Sequence, residues 1–382
     1  MARQGSWGYQ GLQGVIRLSV VIAIVLALTG VVVAETLSNQ AILAVTHSAS
    51  NLVGSNASAL TPPPLSRIIN AFLNANEQRY REALVRTRSW LDTLAVNPTD
   101  LRAHGIKGKK KLAELLDVYL RLYDIAAADD KKALIERIRS ITTVTATPAT
   151  PATAGYHDML RITDQQFKED STSYLRVAFL MDRFGLDTRL YRQEIIKVLP
   201  RLNDHMQHRG SDQRMAFHLY YKHFGLQEPF PLQAAYQTGV ISSRHDPAWF
   251  KQNKMEMYNL THEIFVPYEF GEKLDADFFP EPDKAYLRPL LADLTAYGIG
   301  RDDADITAEL TSCLRYLHFT DLPVYQESLQ YLLKSQRPDG KWGDYERHRG
   351  YYGDYVNQAF YLHTTLVVVD ALTTAFHYYK GK

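Results

Sequence analysis

From residue 65 onward, apolar residues recur at the three-to-four spacing of an α-helix, and the alternation of a half-buried strand is scarce. Ile68, Ile69, Phe72, Leu73, Tyr80, Leu84, Trp90, Leu91 and Leu94 set one apolar face along 65–95. Asn97-Pro98 ends that run, because a residue before proline is pushed out of the helical region. Leu112, Leu115, Leu116, Val118, Tyr119 and Leu122 repeat the pattern over 110–127. Further helices are predicted at 131–141, in a segment ending at Phe184, and over 188–208, 212–225, 231–238, 248–270, 283–297, 304–319, 324–336 and 356–379. Taken in pairs they make about six helical hairpins.

Three of the predicted helix ends share a Phe-Gly pair, at Phe184-Gly185, Phe224-Gly225 and Phe270-Gly271. The pair suits a C-terminal cap, with glycine in the left-handed conformation and phenylalanine packed back on the last turn. The three glycines lie 40 and 46 residues apart, a period at which repeat architectures declare themselves. An open solenoid and a closed double ring both satisfy such a repeat. A count near six favours closure, so the fold expected over 65–382 is all-α, an (α/α)6-like toroid.

What precedes this domain is different in kind. Residues 18–34, LSVVIAIVLALTGVVVA, carry no charge and follow Arg3 and Arg17. Residues 1–34 therefore read as a signal peptide, with Val32-Val33-Ala34 as its cleavage site, or as a retained membrane anchor. Residues 35–64, ending in Thr-Pro-Pro-Pro, read as a stiff linker. Either reading makes the protein exported, periplasmic or extracellular, or holds its domain at a membrane outside the cytoplasm. The formal net charge of +1 over 382 residues gives no general field for polyanions, which argues against nucleic acid as a partner. The single cysteine, Cys313, rules out a disulfide within the chain and is either an apolar filler or a thiolate with a role. The low-complexity stretch TATPATPATAG reads as an exposed connector, and Lys107 with Lys109, Lys110 and Lys111 as a solvated helix start.

Three short motifs add chemistry. Tyr331-Leu332, then Gln336, Gly340 and Trp342 resemble the Gln-Trp repeat of squalene and hopene cyclases and related toroids. That resemblance implies a structural role, with the glutamine tying a helix end to its neighbour and the tryptophan stacking on the amide. Tyr361-Leu362-His363-Thr364 is similar to the segment of protein prenyltransferase β-subunits that supplies a zinc-binding histidine. The resemblance implies His363 as a zinc ligand and Cys313 at the family's cysteine position, while Thr311 stands where that family has an aspartate. Asp303-Ala304-Asp305-Ile306-Thr307-Ala308 is similar to the Asp-x-Asp-Asp-Thr-Ala motif of class II terpene cyclases, which implies Asp305 as a proton donor. Ile306 replaces the next aspartate of that motif, and Asp302, Asp303 and Asp305 also suit a helix N-terminus, where carboxylates cap free N–H groups. The resemblance to the toroid superfamily covers residues 160–382.

Spacing within the chain offers a substitute for the missing aspartate. His262 lies 51 positions before Cys313, and His363 lies 50 after it, so one residue of each set falls on each of three successive inner helices. Two imidazoles and a thiolate can hold zinc and leave a fourth position open. Glu309, four residues before Cys313, shares its helix face as a fourth ligand or a catalytic base, while Glu263 points about 100° away from its neighbour His262. The aromatic and arginine-rich loop Arg337–Asn357 suits contact with carbohydrate, peptide or polyisoprenoid. Phosphate-cradling loops, a His-Glu-x-x-His helix and a Gly-x-Ser-x-Gly elbow are absent from the sequence.

The sequence thus points to an exported or anchored toroid with a zinc-dependent transferase, cyclase or hydrolase site at His262, Cys313, His363 and Glu309. Alternatives are a non-catalytic toroid holding a peptide, glycan or lipid, and an acid-initiated terpene cyclase working through Asp305.

Overall fold

In a computed structural model the described residues are 65–96, 108–146 and 156–380. The chain divides into two units, Met1–Asn76 and Glu77–Lys382. Of the first, only residues 65–76 are described, and they are helical. The apolar segment 18–34, the linker 35–64, Asn97-Pro98 and residues 147–155 of the Thr-Pro-Ala stretch lie outside the described residues.

Among the described residues there are fifteen α-helices and no strand, so the domain is all-α. In chain order they are α1 (Leu65–Leu91), α2 (Lys109–Ile125), α3 (Ala128–Ala146), α4 (Asp164–Arg183), α5 (Arg189–Met206), α6 (Ser211–Phe224), α7 (Leu232–Tyr236), α8 (Val240–Ser243), α9 (Pro247–Gln252), α10 (Lys254–Phe265), α11 (Glu281–Gly300), α12 (Ala304–Tyr316), α13 (Pro323–Lys334), α14 (Arg349–Tyr352) and α15 (Leu362–Lys380).

Six of these carry the architecture. Helix α2 packs on α4, α4 on α6, α6 on α10, α10 on α12 and α12 on α15, and α15 packs back on α2. The others lie against this set: α3 on α2, α5 on α4, α7 on α6, α11 on α12, and α13 across α11, α12 and α15. The division explains the burial pattern. Every residue of α12 is buried, and so is nearly all of α2 from Lys109 to Leu122, because each of these helices has neighbours on every side. The flanking helix α5 buries one stripe, Tyr191, Ile195, Val198 and Leu202, at the spacing of a single helical face. Helix α15 and the π-helical turn before it, Asn357–Phe376, are long and apolar enough to cross a bilayer by length and composition. Their seat between α2 and α12 accounts for that composition.

Local signals set the helix boundaries. Thr163 and Gln166 form a reciprocal capping box at the start of α4, and Asp303 caps α12 by accepting from the Ile306 N–H. Gly185 and Gly225 take φ of 67° and 65°, and the following residues close back on the helix, Leu186 N–H to Met181 O and Leu226 N–H to Tyr221 O. The third Phe-Gly pair behaves differently. Gly271 is also left-handed, but Glu269 and Phe270 before it share that conformation, and α10 has already ended at Phe265. The single helix predicted over 248–270 is therefore two. It breaks at Asn253, which leaves the helical conformation at φ −120°, ψ 71° and whose side-chain amide and backbone N–H both donate to the Trp249 carbonyl.

Of the lysines that the sequence suggested as a solvated helix start, Lys110 is exposed and Lys107 lies outside the described residues, but Lys109 and Lys111 are buried. Lys109 is buried in an ion pair with Asp170 at 2.7 Å, and Lys111 is buried with its ammonium 3.7 Å from the centre of the Tyr355 ring. Gln336 fulfils the tying role: its amide donates to Ala83 O on α1, to Thr87 Oγ1 and to Gly340 O, while Arg86 donates to its carbonyl oxygen. Trp342 is fully buried, and its indole N–H donates to Leu332 O at 2.7 Å. Tyr80 extends the attachment of α1, donating to Thr373 and stacking on Phe376.

Candidate functional site

A cavity of about 520 Å³ lies among α2, α4, α6, α10, α12 and α15, and each of the six contributes side chains to its wall. Part of the wall is apolar, made by Phe265, Phe270, Leu366 and Val367 among others; the rest is charged or neutral polar. Arg176 is paired with Asp117, and Arg121 with Asp370 at 2.8 Å, while Arg121 also donates to the carbonyl of Phe270. These pairs fix four charges of the wall in place, and the histidines with their carboxylates form a second group on it. A second cavity of about 430 Å³, lined by His218, Lys222, Glu269 and Lys273 among others, contains none of the residues singled out in the sequence.

Helix α12 brings Glu309 to the cavity with its side chain 1% exposed. Its Oε2 accepts from Thr261 Oγ1 at 2.5 Å, but its Oε1 has no hydrogen-bond partner. That oxygen faces two imidazoles, with His363 Nε2 at 3.5 Å and His262 Nε2 at 3.9 Å. On the far side of each ring stands another carboxylate: Glu114 Oε1 at 3.1 Å from His363 Nδ1, and Asp212 Oδ2 at 4.0 Å from His262 Nδ1. Asp305 completes the group, its Oδ1 at 3.8 Å from His363 Nε2.

Charge sets the protonation of this cluster. Burial alone would depress the His363 imidazole, but the carboxylates of Asp305, Glu114 and Glu309 outweigh it and hold its pKa up at about 10. Burial likewise opposes ionisation of Glu114, yet Lys110 and His363 hold its pKa down at about 2.

The structure brings together His262, His363 and Glu309, and leaves Cys313 apart. The thiol is fully buried, its Sγ lies 3.9 Å from Thr261 O, and it does not line the cavity. Burial, reinforced by the Glu309 charge, pushes the thiol pKa well above its ordinary value, which disfavours the thiolate that zinc requires. One helical turn separates Cys313 from Glu309. Among the described residues, no group of three or more His, Cys, Asp or Glu side chains already stands in metal-holding geometry. The zinc set His262, Cys313 and His363 thus does not fit through its cysteine, whereas the orphaned oxygen of Glu309 sits where a cation would satisfy it.

Asp305 is buried, accepts from Tyr258 OH at 2.5 Å and Thr364 Oγ1 at 2.8 Å, and does not line the cavity. Glu263 is spent elsewhere: it accepts from Ser211 and from the N–H groups of Val240 and Ile241 at the start of α8.

Sequence reasoning missed Glu114, Asp117, Arg121, Asp212 and Asp370. A signal was present in α2, where charges at 114, 117 and 121 recur at helical spacing inside an otherwise apolar run. Charges placed so regularly in a fully buried helix must face one another or a cavity.

The model of the family described as a domain of unknown function, DUF6895, matches residues 165–373, from α4 through most of α15. No curated protein and no solved structure matches the chain. With more than half of its length matched, this chain belongs to the DUF6895 family.

Proposed function

We propose that this protein is an α/α toroid of about six hairpins, of the terpenoid cyclase and prenyltransferase type, with an enzyme site in its central cavity. The cyclic order of packing from α2 through α15 and back supports the toroid, as does the bonding of Gln336 and Trp342. One observation carries the site: Glu309 Oε1, buried and without a hydrogen-bond partner, stands between two imidazoles on the wall of a cavity that six helices share. Buried polar atoms are nearly always partnered, and a bound ion or ligand is one way in which an exception such as this is completed.

The wall suits a ligand with a charged head and an apolar segment, since arginines and carboxylates occupy one part of it and Phe265, Phe270, Leu366 and Val367 another. An isoprenoid diphosphate and a hydrophobic peptide both have that character. Zinc belongs to the same reading as cofactor. The terpene-cyclase alternative draws no support from Asp305, whose carboxylate is engaged by Tyr258 and Thr364 away from the cavity. Residues 18–34 would export the domain or tether it outside the cytoplasm.

Thermal-shift measurements on the full chain test the ligand class, using isoprenoid diphosphates, hydrophobic peptides and neutral oligosaccharides as probes. Stabilisation by a diphosphate or a peptide, lost in Glu309→Gln and His262→Ala, is the expected result. Response to neutral oligosaccharides alone, or to no probe, overturns the reading. Fractionation of the expressed protein tests export, and recovery in the cytoplasm with residues 1–34 intact would remove it.

A further inference from the structure

We propose that His262, Glu309 and His363 form a three-ligand zinc site open to the cavity, with Glu114 orienting the His363 imidazole from outside and Asp212 facing that of His262. The inference rests on reading this cavity as the functional site, and it replaces the thiol of Cys313 with a carboxylate.

The geometry carries it. Both Nε2 atoms point at the same carboxylate oxygen, from 3.5 and 3.9 Å. Two ligands on one tetrahedral zinc, each bonded at about 2.0–2.1 Å, stand about 3.3 Å apart, so His363 at 3.5 Å is near that separation and His262 at 3.9 Å must move in to reach it. Glu309 Oε1 has no hydrogen-bond partner, although its side chain is 1% exposed, and a cation between the three groups would satisfy it. Glu309 itself is held by Thr261, which bonds its other oxygen and so aims the free one.

The outer contact of His363 matches what a metal-binding histidine needs, while Asp212 faces His262 as a charge beyond hydrogen-bond distance. A ligating imidazole usually donates its second ring N–H to a carboxylate, which fixes the tautomer and turns the other nitrogen toward the metal. Glu114 stands 3.1 Å from Nδ1 of His363, and Asp212 stands 4.0 Å from Nδ1 of His262. Four carboxylates, counting Asp305, thus surround two imidazoles; Lys110, 3.5 Å from Glu114 Oε1, offsets one of them, and a divalent cation would offset most of the rest. His262 is 39% exposed and lines the cavity, so a ligand there could reach a cation held at this site. When bound, zinc would supply Lewis acidity to that ligand.

The test uses the full chain stripped with chelator, then titrated with Zn²⁺ by calorimetry and with Co²⁺ by absorption spectroscopy. Wild type and Cys313→Ala should each bind one ion per chain, and the cobalt spectrum should lack a thiolate charge-transfer band. His262→Ala and Glu309→Gln should lose at least about tenfold in affinity, and Glu114→Gln about 10–100-fold as an orienting contact. Circular dichroism of each variant confirms that a loss is not unfolding. Absence of binding by the wild type, a thiolate band, or loss of binding in Cys313→Ala overturns the site. Failure here with ligand stabilisation intact leaves the cavity as a metal-free site; failure of both removes the cavity reading itself.

Discussion

A β-carbon on Gly340 would stand 2.2 Å from the carbonyl oxygen of Arg86, so the turn after α13 and the helix α1 meet backbone to backbone. Gly340 also has φ of +94°, a conformation that side chains rarely adopt. Gly340→Ala should therefore cost about 2–4 kcal/mol, from strain and overpacking together. Gly350, around which a β-carbon meets nothing within 4 Å, is the control, and Gly350→Ala should be nearly neutral. Urea midpoints of the two variants check the difference.

Trp342 separates packing from hydrogen bonding. Trp342→Ala should destabilise by about 3–5 kcal/mol, as removal of a fully buried aromatic does. Trp342→Phe keeps much of the volume but leaves Leu332 O with only the longer 3.3 Å bond from Ser335, at a cost of about 1–3 kcal/mol. Equal losses in the two variants would show that the indole N–H dominates.

The fold was more legible than the site. Helical periodicity and the Gln336–Trp342 motif depend on local spacing, which a sequence displays directly. The break at Asn253 was not legible, because it depends on one residue leaving the helical conformation while its side chain bonds back to Trp249 O. At the site, repeat spacing found His262 and His363 but also selected Cys313, since spacing fixes height along an axis and not the direction a side chain faces. Glu309 and Cys313, four residues apart, share a face in the approximation of a straight helix. In the structure only Glu309 reaches the cavity, and the thiol turns to Thr261. Glu114 was hidden for another reason: it reaches His363 across 249 positions, by the packing of α15 on α2.

Lys109 and Asp170 form a buried ion pair, each side chain 2% exposed. Removing one partner strands a charge, so Asp170→Ala should cost about 3–5 kcal/mol. The double variant Lys109→Met, Asp170→Leu should recover most of that loss, which a double-mutant cycle of denaturation midpoints measures. A double variant as unstable as the single would mean that the pair serves more than charge balance.

His157 predicts a pH response. It sits among Tyr156, Tyr174 and Tyr191, taking the Tyr174 hydroxyl on Nδ1 at 2.7 Å and placing Nε2 3.0 Å from Thr145 O. Burial, helped by Lys109 and Lys197 and opposed by Thr145 O and Glu194, pushes its pKa below the ordinary 6.5. The unfolded chain then binds the proton more readily, so stability from this group is complete above about pH 6.5 and falls as pH drops toward the folded-state value. Denaturation at pH 7.5 and 5.5 should show that fall in wild type and a smaller one in His157→Gln.

Cys313 should be silent. With its thiol fully buried and its ionisation suppressed, it should react with a thiol reagent only in denaturant, and Cys313→Ala should cost about 1 kcal/mol or slightly more. Rapid modification of the native protein would contradict that burial.

The packing of α15 on α2 has a consequence for biosynthesis. A nascent chain that has made only α2, α3 and α4 can pair Asp117 with Arg176 but cannot answer Glu114 and Arg121, because His363 and Asp370 of α15 have not been translated. Such a chain must wait with ionised groups facing water. The domain can settle only once both of these distant segments have been made.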